Sequence, residues 1–427
     1  MAVYYIDPVL GNDENDGLSE CIPKKDYSKI DVKGGDSILF KCGSFIRSDL
    51  KNVYDNKGEI ITYGSYGDGE KPVFCGSVDT LSNPEYWYEE STNIWVTDKI
   101  DDEACNFIFN NEDLCGTLRW TKEELCEQGD FFDECFGFRV GGKKVPEGHK
   151  IYMFSVKNPA EYYSHIEVAC YCNRWMATSG DNLLFENLRF INGGVHGIAG
   201  GQHAENLHVR NCDFEFIGGC VWNYELKIRF GNAFECWDIA ENISVKNCYF
   251  YNIYDSAVTH QGSKERCEPC VNFVCTDCVF VKCGMGAYEQ RDLLPLNAVF
   301  SNNICIDAGE GFSKQGEIMP RYSEIWPQPM GHHVFLWRID ETTRGGKIEI
   351  KNNIFSGAPY GASIYSIICE EAENQIELEG NIYCTTDSDE LVSRWGKINY
   401  KSFEEYKKAG IEKKPECKKI DISKYLK

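Results

Sequence analysis

A short motif that recurs seven times between residues 185 and 383 constrains the fold of this chain more than any other feature. In its fullest form, an apolar residue, a polar residue, Asn or Asp, and Cys follow one another, with an aromatic residue two positions later. The steps between copies are 24, 36, 30, 25, 50 and 28 residues, so a basal period of about 24 carries insertions. The copies are FENLRF (185–190), VRNCDF (209–214), VKNCYF (245–250), CTDCVF (275–280), FSNNIC (300–305), IKNNIF (350–355) and LEGNIY (378–383).

Each copy alternates apolar and polar residues with a period of two, which indicates a strand, and lies beside residues typical of turns. No copy contains a helical segment, so repeats built from helices are excluded. Short strands stacked at about 4.8 Å per coil form a parallel β-helix, and we predict an all-β solenoid of this kind. A β-sandwich is the alternative. We expect two interior ladders, one of Asn187, Asn211, Asn247, Asp277 and Asn302, and one of Cys212, Cys248 and Cys278.

The net charge of −23 disfavours nucleic acid and anionic membrane surfaces as partners. The sequence has no run of 18 apolar residues, so no membrane span is predicted. Met1 leads directly into AVYYIDP without the pattern of a secretory leader, so we expect a cytoplasmic protein.

The 22 cysteines are then better explained as small apolar residues of the core than as disulfides. Cys267, Cys270, Cys275 and Cys278 have spacings that also suit zinc, but their intervals are those of the coil. We therefore predict neither a metal nor a cofactor.

Several segments resemble right-handed parallel β-helix repeat proteins of the pectin-lyase-like superfamily, especially carbohydrate-active members from anaerobic gut bacteria. The resemblance implies a right-handed β-helix and a glycan ligand. The superfamily spans hydrolases, lyases, epimerases and non-enzymatic adhesins, so it leaves the chemistry open. The segments are YYIDPVLGNDENDGLSE (4–20), GGDSILFKCG (34–43), ITYGSYGDGEKPVF (61–74), NPAEYYSHIEVA (158–169), ENLRFINGGVHGIAGG (186–201), IRFGNAFECWDIAENISVKNC (228–248) and IYDSAVTHQG (253–262).

The chain divides into four predicted regions. Residues 1–75 form an N-terminal cap and the first coils, and residues 181–384 form the central coils. Residues 76–180 depart from the repeat and are predicted to be inserted strands with a short helix at TKEELCEQG, which either form one wall of a groove or serve as a structural flap. Residues 385–427 close the solenoid with a helix at SFEEYKKAG.

Aligning the segment that follows each motif places polar side chains in two outward columns on one sheet face. The aligned segments are AFECW (233–237), AVTHQ (257–261), AYEQR (287–291), GFSKQ (311–315) and VFLWR (334–338). The inward residues are then Phe234, Val258, Tyr288, Phe312 and Phe335. The outward columns are Glu235, Thr259, Glu289 and Ser313, and next to them Trp237, Gln261, Arg291, Gln315 and Arg338.

Carboxylates, an aromatic ring, amides and guanidinium groups on one face suit a sugar. Glu235 and Glu289 would lie two coils apart, about 9 to 10 Å, which suits the acid and base of an inverting glycoside hydrolase. We predict Glu235 and Glu289 as the catalytic pair, with Asp238, His260 and Asp292 near enough to take one role; His260 either faces outward or lies in the core. The predicted substrate-binding residues are Trp237, Gln261, Arg291, Lys314, Gln315, Trp326, Trp337 and Arg338, with Trp326 on a loop (315–340) that roofs the groove.

Two other functions stay open. In a lyase or epimerase acting on a uronate-containing glycan, Arg291, Lys314 and Arg338 would neutralise the substrate carboxylate while a base removes the adjacent proton. In a non-catalytic glycan-binding β-helix, the glutamates would belong to a solvated strand face. The sequence leaves the sugar and the oligomeric state undetermined.

Overall fold

The computed structural model describes residues 1–50, 58–111, 114–171, 174–261, 268–314, 321, 325, 329–384 and 391–427. Most of its strands form three long, predominantly parallel sheets that run the length of a right-handed parallel β-helix. This confirms the predicted all-β solenoid and the fold that the resemblance implied.

Between residues 175 and 395 each complete coil contributes one strand to each long sheet, because the repeat supplies three short apolar runs per turn, whereas the coil strands before residue 76 belong to sheets 1 and 2. Sheet 1 contains Val3–Ile6, Ser37–Lys41, Ile61–Tyr66, Leu183–Glu186, Leu207–Arg210, Ile239–Lys246, Val271–Thr276, Leu296–Ser301, Ile348–Lys351 and Ile376–Glu379, with His203–Glu205 paired at its side. Sheet 2 contains Phe45–Ile46, Val73–Cys75, Arg189–Ile191, Asp213–Ile217, Tyr249–Ile253, Val279–Val281, Ile304–Ile306, Ile354–Ser356, Ile382–Cys384 and Glu416–Cys417. Sheet 3 contains Trp175–Thr178, His196–Ala199, Phe234–Trp237, Ser256–Gln261, Gly286–Arg291, His332–Trp337, Ala362–Ile367, Leu391–Trp395 and, antiparallel at its end, Ile398–Tyr400.

The recurring aromatic residue of the motif builds the core. Phe190, Phe214, Phe250 and Phe280 are buried, pair in register along sheet 2 and stack with ring centroids 4.8 to 5.2 Å apart. Because phenylalanine occupies the equivalent position in successive coils, the stack continues without changing the cross-section of the coil. One residue type therefore stabilises several coils.

The predicted cysteine ladder is confirmed, since Cys212, Cys248 and Cys278 are all buried. Of the four cysteines with zinc-like spacing, Cys270, Cys275 and Cys278 are buried, and Cys267 lies outside the described residues.

The predicted interior position of the asparagine ladder is wrong. Asn187, Asn211, Asn247, Asp277 and Asn302 lie at the bend between sheets 1 and 2, but Asn187 is half-buried and the others are exposed. All five have φ between 51° and 59°, a left-handed conformation that Asn and Asp tolerate better than most residues. Asn or Asp recurs in the motif because the bend requires a left-handed backbone conformation at this position.

A second ladder one residue further along does lie inside. Asn353 Nδ2 donates to Asn381 Oδ1 (2.9 Å) and to the carbonyl of Phe300 (3.0 Å), and Asn381 Nδ2 donates to Glu412 Oε1 (2.9 Å). These amides pair backbone groups of neighbouring coils that burial would otherwise leave unsatisfied.

Two smaller sheets between residues 77 and 170 interrupt the coils. One contains Leu114–Cys115, Ala104–Phe109, Ile166–Cys170 and Ser77–Thr80, and the other contains Thr117–Leu118, Asp130–Asp133, Ile151–Phe154, Ile94–Thr97 and Tyr88–Ser91. The helix predicted at TKEELCEQG is a single 3-10 turn, Lys122–Glu124, whose capping box is formed by Thr121 and Glu124. We call this segment the insert. It is fixed to the coils in part by Arg47, which donates two hydrogen bonds of 2.7 Å to Glu167.

The helices are short. The α-helices are Pro159–Tyr162, Glu370–Glu373 and Phe403–Ala409, and the other 3-10 turns are Tyr27–Lys29, Pro84–Tyr86 and Ser423–Tyr425. Phe403–Ala409 is the predicted C-terminal helix, with a Ser402 cap and Gly410 at its end, and it buries Tyr406. Among the described residues, no helix is long and apolar enough to cross a membrane.

Candidate active site

Sheet 3 presents the predicted outward columns over three consecutive strands. Phe234 pairs with Val258 and Val258 with Tyr288, all three in the core, so Glu235, Thr259 and Glu289 share the opposite face. This part of the predicted register is the observed one.

The predicted register is wrong beyond Tyr288. Residues 311–314 form a turn outside the sheet, and the next strand pairs Glu289 with Phe335 and Arg291 with Trp337. Phe335 therefore faces outward rather than inward. A long insertion before this strand hides its register in the sequence, and a slip of one residue exchanges the two faces of a strand.

A cavity of about 600 Å³ lies over the first strands of the sheet. Its floor contains Glu235, Trp237 and Gln261. The hairpin of Cys220–Asn223 and Ile228–Phe230 supplies a wall, and the insert adds Val140. The remaining lining residues include Arg174, Trp175, His196, Asn232, Asp255, Met285, Arg291, Arg321 and Arg338.

Glu235 is a buried carboxyl group at the floor of this cavity. Its Oε2 accepts a hydrogen bond from Asn232 Nδ2 (2.7 Å) and lies 3.3 Å from His196 Nδ1. Burial lowers the pKa of His196, so the imidazole is neutral near pH 7 and does not cancel the charge of Glu235. The hydrogen bond to Asn232 fixes the orientation of the carboxyl group.

Asp255 is the second carboxyl group of the cavity, and the sequence analysis missed it. It is 3% exposed, and its Oδ1 lies 2.7 Å from Arg321 Nε. Burial raises the pKa of Asp255 to about 6, although Arg321 opposes the shift. A signal was present, because Asp255 directly precedes the strand that carries Thr259 and Gln261.

The structure contradicts the solvent-facing position predicted for Glu289. Its exposure is 0%, and it does not line the cavity. Oε2 accepts hydrogen bonds from Ser256 Oγ (2.9 Å), Thr259 Oγ1 (3.0 Å) and Gln261 Nε2 (3.0 Å), and Oε1 accepts one from Trp337 Nε1 (2.8 Å). Four donors compensate the buried carboxylate, which explains why it lies on the outward face and yet is closed to solvent.

Asp238, His260 and Asp292 are buried and do not line the cavity. His260 faces the core, its Nε2 lies 3.2 Å from the carbonyl oxygen of Asp238, and burial lowers its pKa to about 4. Asp292 contacts Arg338 Nε (3.1 Å) and Arg291 Nε (3.4 Å).

The predicted substrate-binding residues separate into three groups. Trp237, Gln261, Arg291 and Arg338 line the cavity. Trp337 is buried behind it, and Lys314 lies apart from it, with Nζ 2.5 Å from the hydroxyl of Tyr360. Gln315 and Trp326 lie outside the described residues.

The other residues that the sequence analysis missed come from segments without the repeat. Arg174 and Trp175 begin sheet 3, Trp222 lies on the hairpin, and Arg321 lies in the long segment before His332–Trp337. Two of these segments carried a signal: the 36-residue step between motif copies indicates the insertion that forms the hairpin, and Arg321 belongs to the loop 315–340 that is predicted to roof the groove.

Comparisons with known proteins agree on the fold. No family model matches the chain. A stretch of 84 residues is 33% identical to part of the lacto-N-biosidase of Bifidobacterium longum subsp. longum and covers 17% of this chain and 5% of that protein. The solved structure of XylC in complex with xylose has a TM-score of 0.54 at 11% identity, covering 89% of this chain and 62% of that one.

A GH136 lacto-N-biosidase structure from Eubacterium ramulus has a TM-score of 0.47 at 16% identity, covering 92% of this chain and 61% of that one. The chain thus spans less than two thirds of each of these proteins. The likeness to XylC shows a shared fold and no more than that.

Proposed function

We propose that the protein is a glycoside hydrolase that binds a glycan in the cavity over sheet 3 and hydrolyses it with Asp255 and Glu235. The observation that carries this proposal is the presence of two buried carboxyl groups on one cavity whose wall and floor also hold tryptophan rings. The match to part of a lacto-N-biosidase supports a glycan as the ligand.

Asp255 is the proposed general acid. A pKa of about 6 keeps a substantial fraction of the carboxyl group protonated in mildly acidic solution. Its proton passes to the glycosidic oxygen as the bond from that oxygen to the anomeric carbon breaks. Arg321, 2.7 Å from Asp255 Oδ1, then stabilises the carboxylate that remains.

Glu235 is the proposed base. The neutral His196 leaves its charge uncompensated, and Asn232 orients it through one hydrogen bond of 2.7 Å. The carboxylate accepts a proton from water while the water oxygen bonds to the anomeric carbon. Regeneration requires only a proton exchange between the two carboxyl groups and solvent.

Trp175, Trp222 and Trp237 are proposed to contact the faces of the sugar rings. Trp222 is 45% exposed, which is unusual for so large an apolar side chain and typical of a surface that receives a ligand. A pyranose ring offers axial C–H groups to an aromatic face, so stacked tryptophans bind it without displacing its hydroxyl groups from water.

The test is a screen of the purified protein against neutral and acidic oligosaccharides, with product masses read by mass spectrometry. We expect cleavage with the addition of one water molecule. Asp255→Asn and Glu235→Gln should abolish it, and the matched control Glu225→Gln, an exposed glutamate on the same hairpin as Trp222, should retain it. Cleavage by both active-site variants at the wild-type rate would refute the assignment.

A second candidate is elimination on a uronate-containing glycan, and one observation favours it. Four arginines line the cavity, of which Arg291, Arg321 and Arg338 are paired with carboxylates of the protein. Arg174 forms no ion pair with any residue that the structure describes and contacts the ring of Trp175 at 5.2 Å. A guanidinium group in that position would bind a substrate carboxylate. If the products are together one water molecule lighter than hydrolysis products and absorb in the ultraviolet, the reaction is elimination rather than hydrolysis.

A further inference from the structure

A second cluster of reactive side chains lies in the insert, away from the two proposed catalytic carboxyls. Asp133, Cys135 and His149 are 1%, 2% and 5% exposed, and their ligand atoms all lie within 4.8 Å of one another. Asp133 ends the strand Asp130–Asp133, Cys135 follows it, and His149 precedes the antiparallel partner Ile151–Phe154. The three residues thus close the base of one hairpin.

We propose that Asp133, Cys135 and His149 bind a zinc ion. A thiolate, an imidazole nitrogen and a carboxylate oxygen are the donor types that zinc combines in proteins, and three protein ligands leave one position for water.

The poor pairing of the imidazole is an independent reason for this proposal. Among the described residues, His149 Nδ1 has no hydrogen-bond partner, and Nε2 has only the long contact with Asp133, although the side chain is buried. A buried imidazole that is poorly paired costs free energy, whereas a metal ion would satisfy one nitrogen.

The spacing of the donors fits a shared ion better than a direct contact. His149 Nε2 lies 3.5 Å from Asp133 Oδ2, longer than the usual charge-assisted hydrogen bond. Bonds of about 2.0 to 2.3 Å to a tetrahedral zinc place neighbouring donors about 3.3 to 3.8 Å apart, which includes this distance.

The carboxylate is already oriented by the backbone. Asp133 Oδ1 accepts a hydrogen bond from the backbone N–H of Cys135 (2.7 Å), and Oδ2 accepts one from Ala104 (2.8 Å). Such outer hydrogen bonds fix a ligand in the direction that the metal requires, and each oxygen keeps a lone pair.

An ion at this position would hold residues 134–150 at their base. Val140 in this segment lines the candidate cavity, and Gly137 and Arg139 donate backbone hydrogen bonds to Glu103 (2.8 and 3.2 Å). The ion is therefore expected to affect the shape of the cavity through the segment that it anchors.

The test measures the zinc content of the purified protein by inductively coupled plasma mass spectrometry. We expect about one zinc per chain in the wild type. In Cys135→Ser and in His149→Gln we expect the zinc content per chain to fall by at least about tenfold. The matched control is Cys126→Ser, an exposed cysteine of the same insert, which should retain the metal. Wild-type protein without stoichiometric zinc after growth with added zinc would overturn the proposal.

A spectroscopic readout separates loss of the site from loss of the fold. Chelator-treated wild-type protein given Co²⁺ should develop the visible bands of a tetrahedral site and a thiolate-to-cobalt absorption, and Cys135→Ser should lack the thiolate band while its circular dichroism stays that of the wild type. A thiolate band that persists in Cys135→Ser, or that Cys126→Ser removes, would contradict the assignment. These readouts do not involve a glycan, so they remain decisive if the proposed hydrolase activity fails its own test.

Discussion

Sheet 3 has two halves that share strand direction and register but are covered differently. In the upstream half, from Trp175–Thr178 to Ser256–Gln261, the outward side chains border a cavity and are mostly polar. In the downstream half, from Gly286–Arg291 to Ala362–Ile367, outward Phe335, Trp337 and Tyr365 form a closed apolar cluster with Met285, Met330 and Ala362, and the cavity reaches this half at Met285, Arg291 and Arg338. The repeat fixes the direction of each side chain, and segments outside the repeat decide which half is open.

Glu235 and Glu289 illustrate the difference between the two halves of sheet 3. Both face outward on strands two coils apart, yet Glu235 borders the cavity and Glu289 is enclosed by four donors. We infer that the first acts on a ligand and the second holds Gln261 and Trp337 in place. The same substitution at the two positions should therefore have different effects.

The largest expected effect is on turnover. Glu235→Gln removes the proposed base, and we expect a loss of kcat of roughly 10²- to 10⁴-fold, the range for general acid–base catalysis. The melting temperature should change little, because the amide keeps an oxygen that accepts from Asn232. Steady-state rates and thermal melts of the same preparation check both statements. A wild-type kcat would end the proposed role of Glu235.

Glu289→Gln should instead destabilise the protein. An amide cannot accept from all four donors, and its NH₂ group faces at least one of them, so we expect a loss of about 3 to 5 kcal/mol in the free energy of unfolding. Urea denaturation measures this quantity. If Glu289→Gln were as stable as wild type but inactive, the contrast between the two halves would be wrong and Glu289 would return as a catalytic candidate.

The pH dependence of stability should identify Asp255. Burial raises the pKa of Asp255 to about 6, so the folded state holds a proton that the unfolded chain has released. The stability that this carboxyl group contributes is then present below about pH 4 and is lost as the pH rises through about 6, with a total of about 3 kcal/mol.

The measurement compares the free energy of unfolding of wild type and Asp255→Asn at pH 4 and pH 7. Because the two proteins share every other titrating group, their difference isolates Asp255, and it should move by about 2.5 kcal/mol against wild type between these pH values. A difference independent of pH would mean that folding does not raise the pKa of Asp255, which removes its proposed role as the acid.

The sequence predicts what the repeat controls. Alternation correctly placed Phe234, Val258 and Tyr288 inside, and the latter two lie at one fixed distance, 8 residues, after a copy of the motif. The prediction failed at Phe335, where a long insertion precedes the strand and hides its register.

The composition of the site depends on contacts that no period encodes. Asp255 lies at a bend, Trp222 on a hairpin, and Glu289 is enclosed because Trp337 from the next coil reaches it. The asparagine ladder shows a related limit. Its spacing was recognisable, but recognising that it served a left-handed backbone at the surface required the φ angles of Asn211 and its equivalents.

The smallest expected effect compares two tryptophans in one column of sheet 3. Trp237 is followed across the sheet by Gln261, Arg291 and then Trp337, but it borders the cavity and Trp337 is buried. Trp237→Ala should raise KM about tenfold with little change in the free energy of unfolding, since an aromatic contact of this kind contributes about 0.5 to 1.5 kcal/mol.

Trp337→Phe should leave KM nearly unchanged and lower the free energy of unfolding by about 1.5 to 3 kcal/mol, because Glu289 loses one of its donors. Substrate titrations and thermal melts of both variants distinguish the two positions, and equal effects on KM would show that the ligand extends over the downstream half as well.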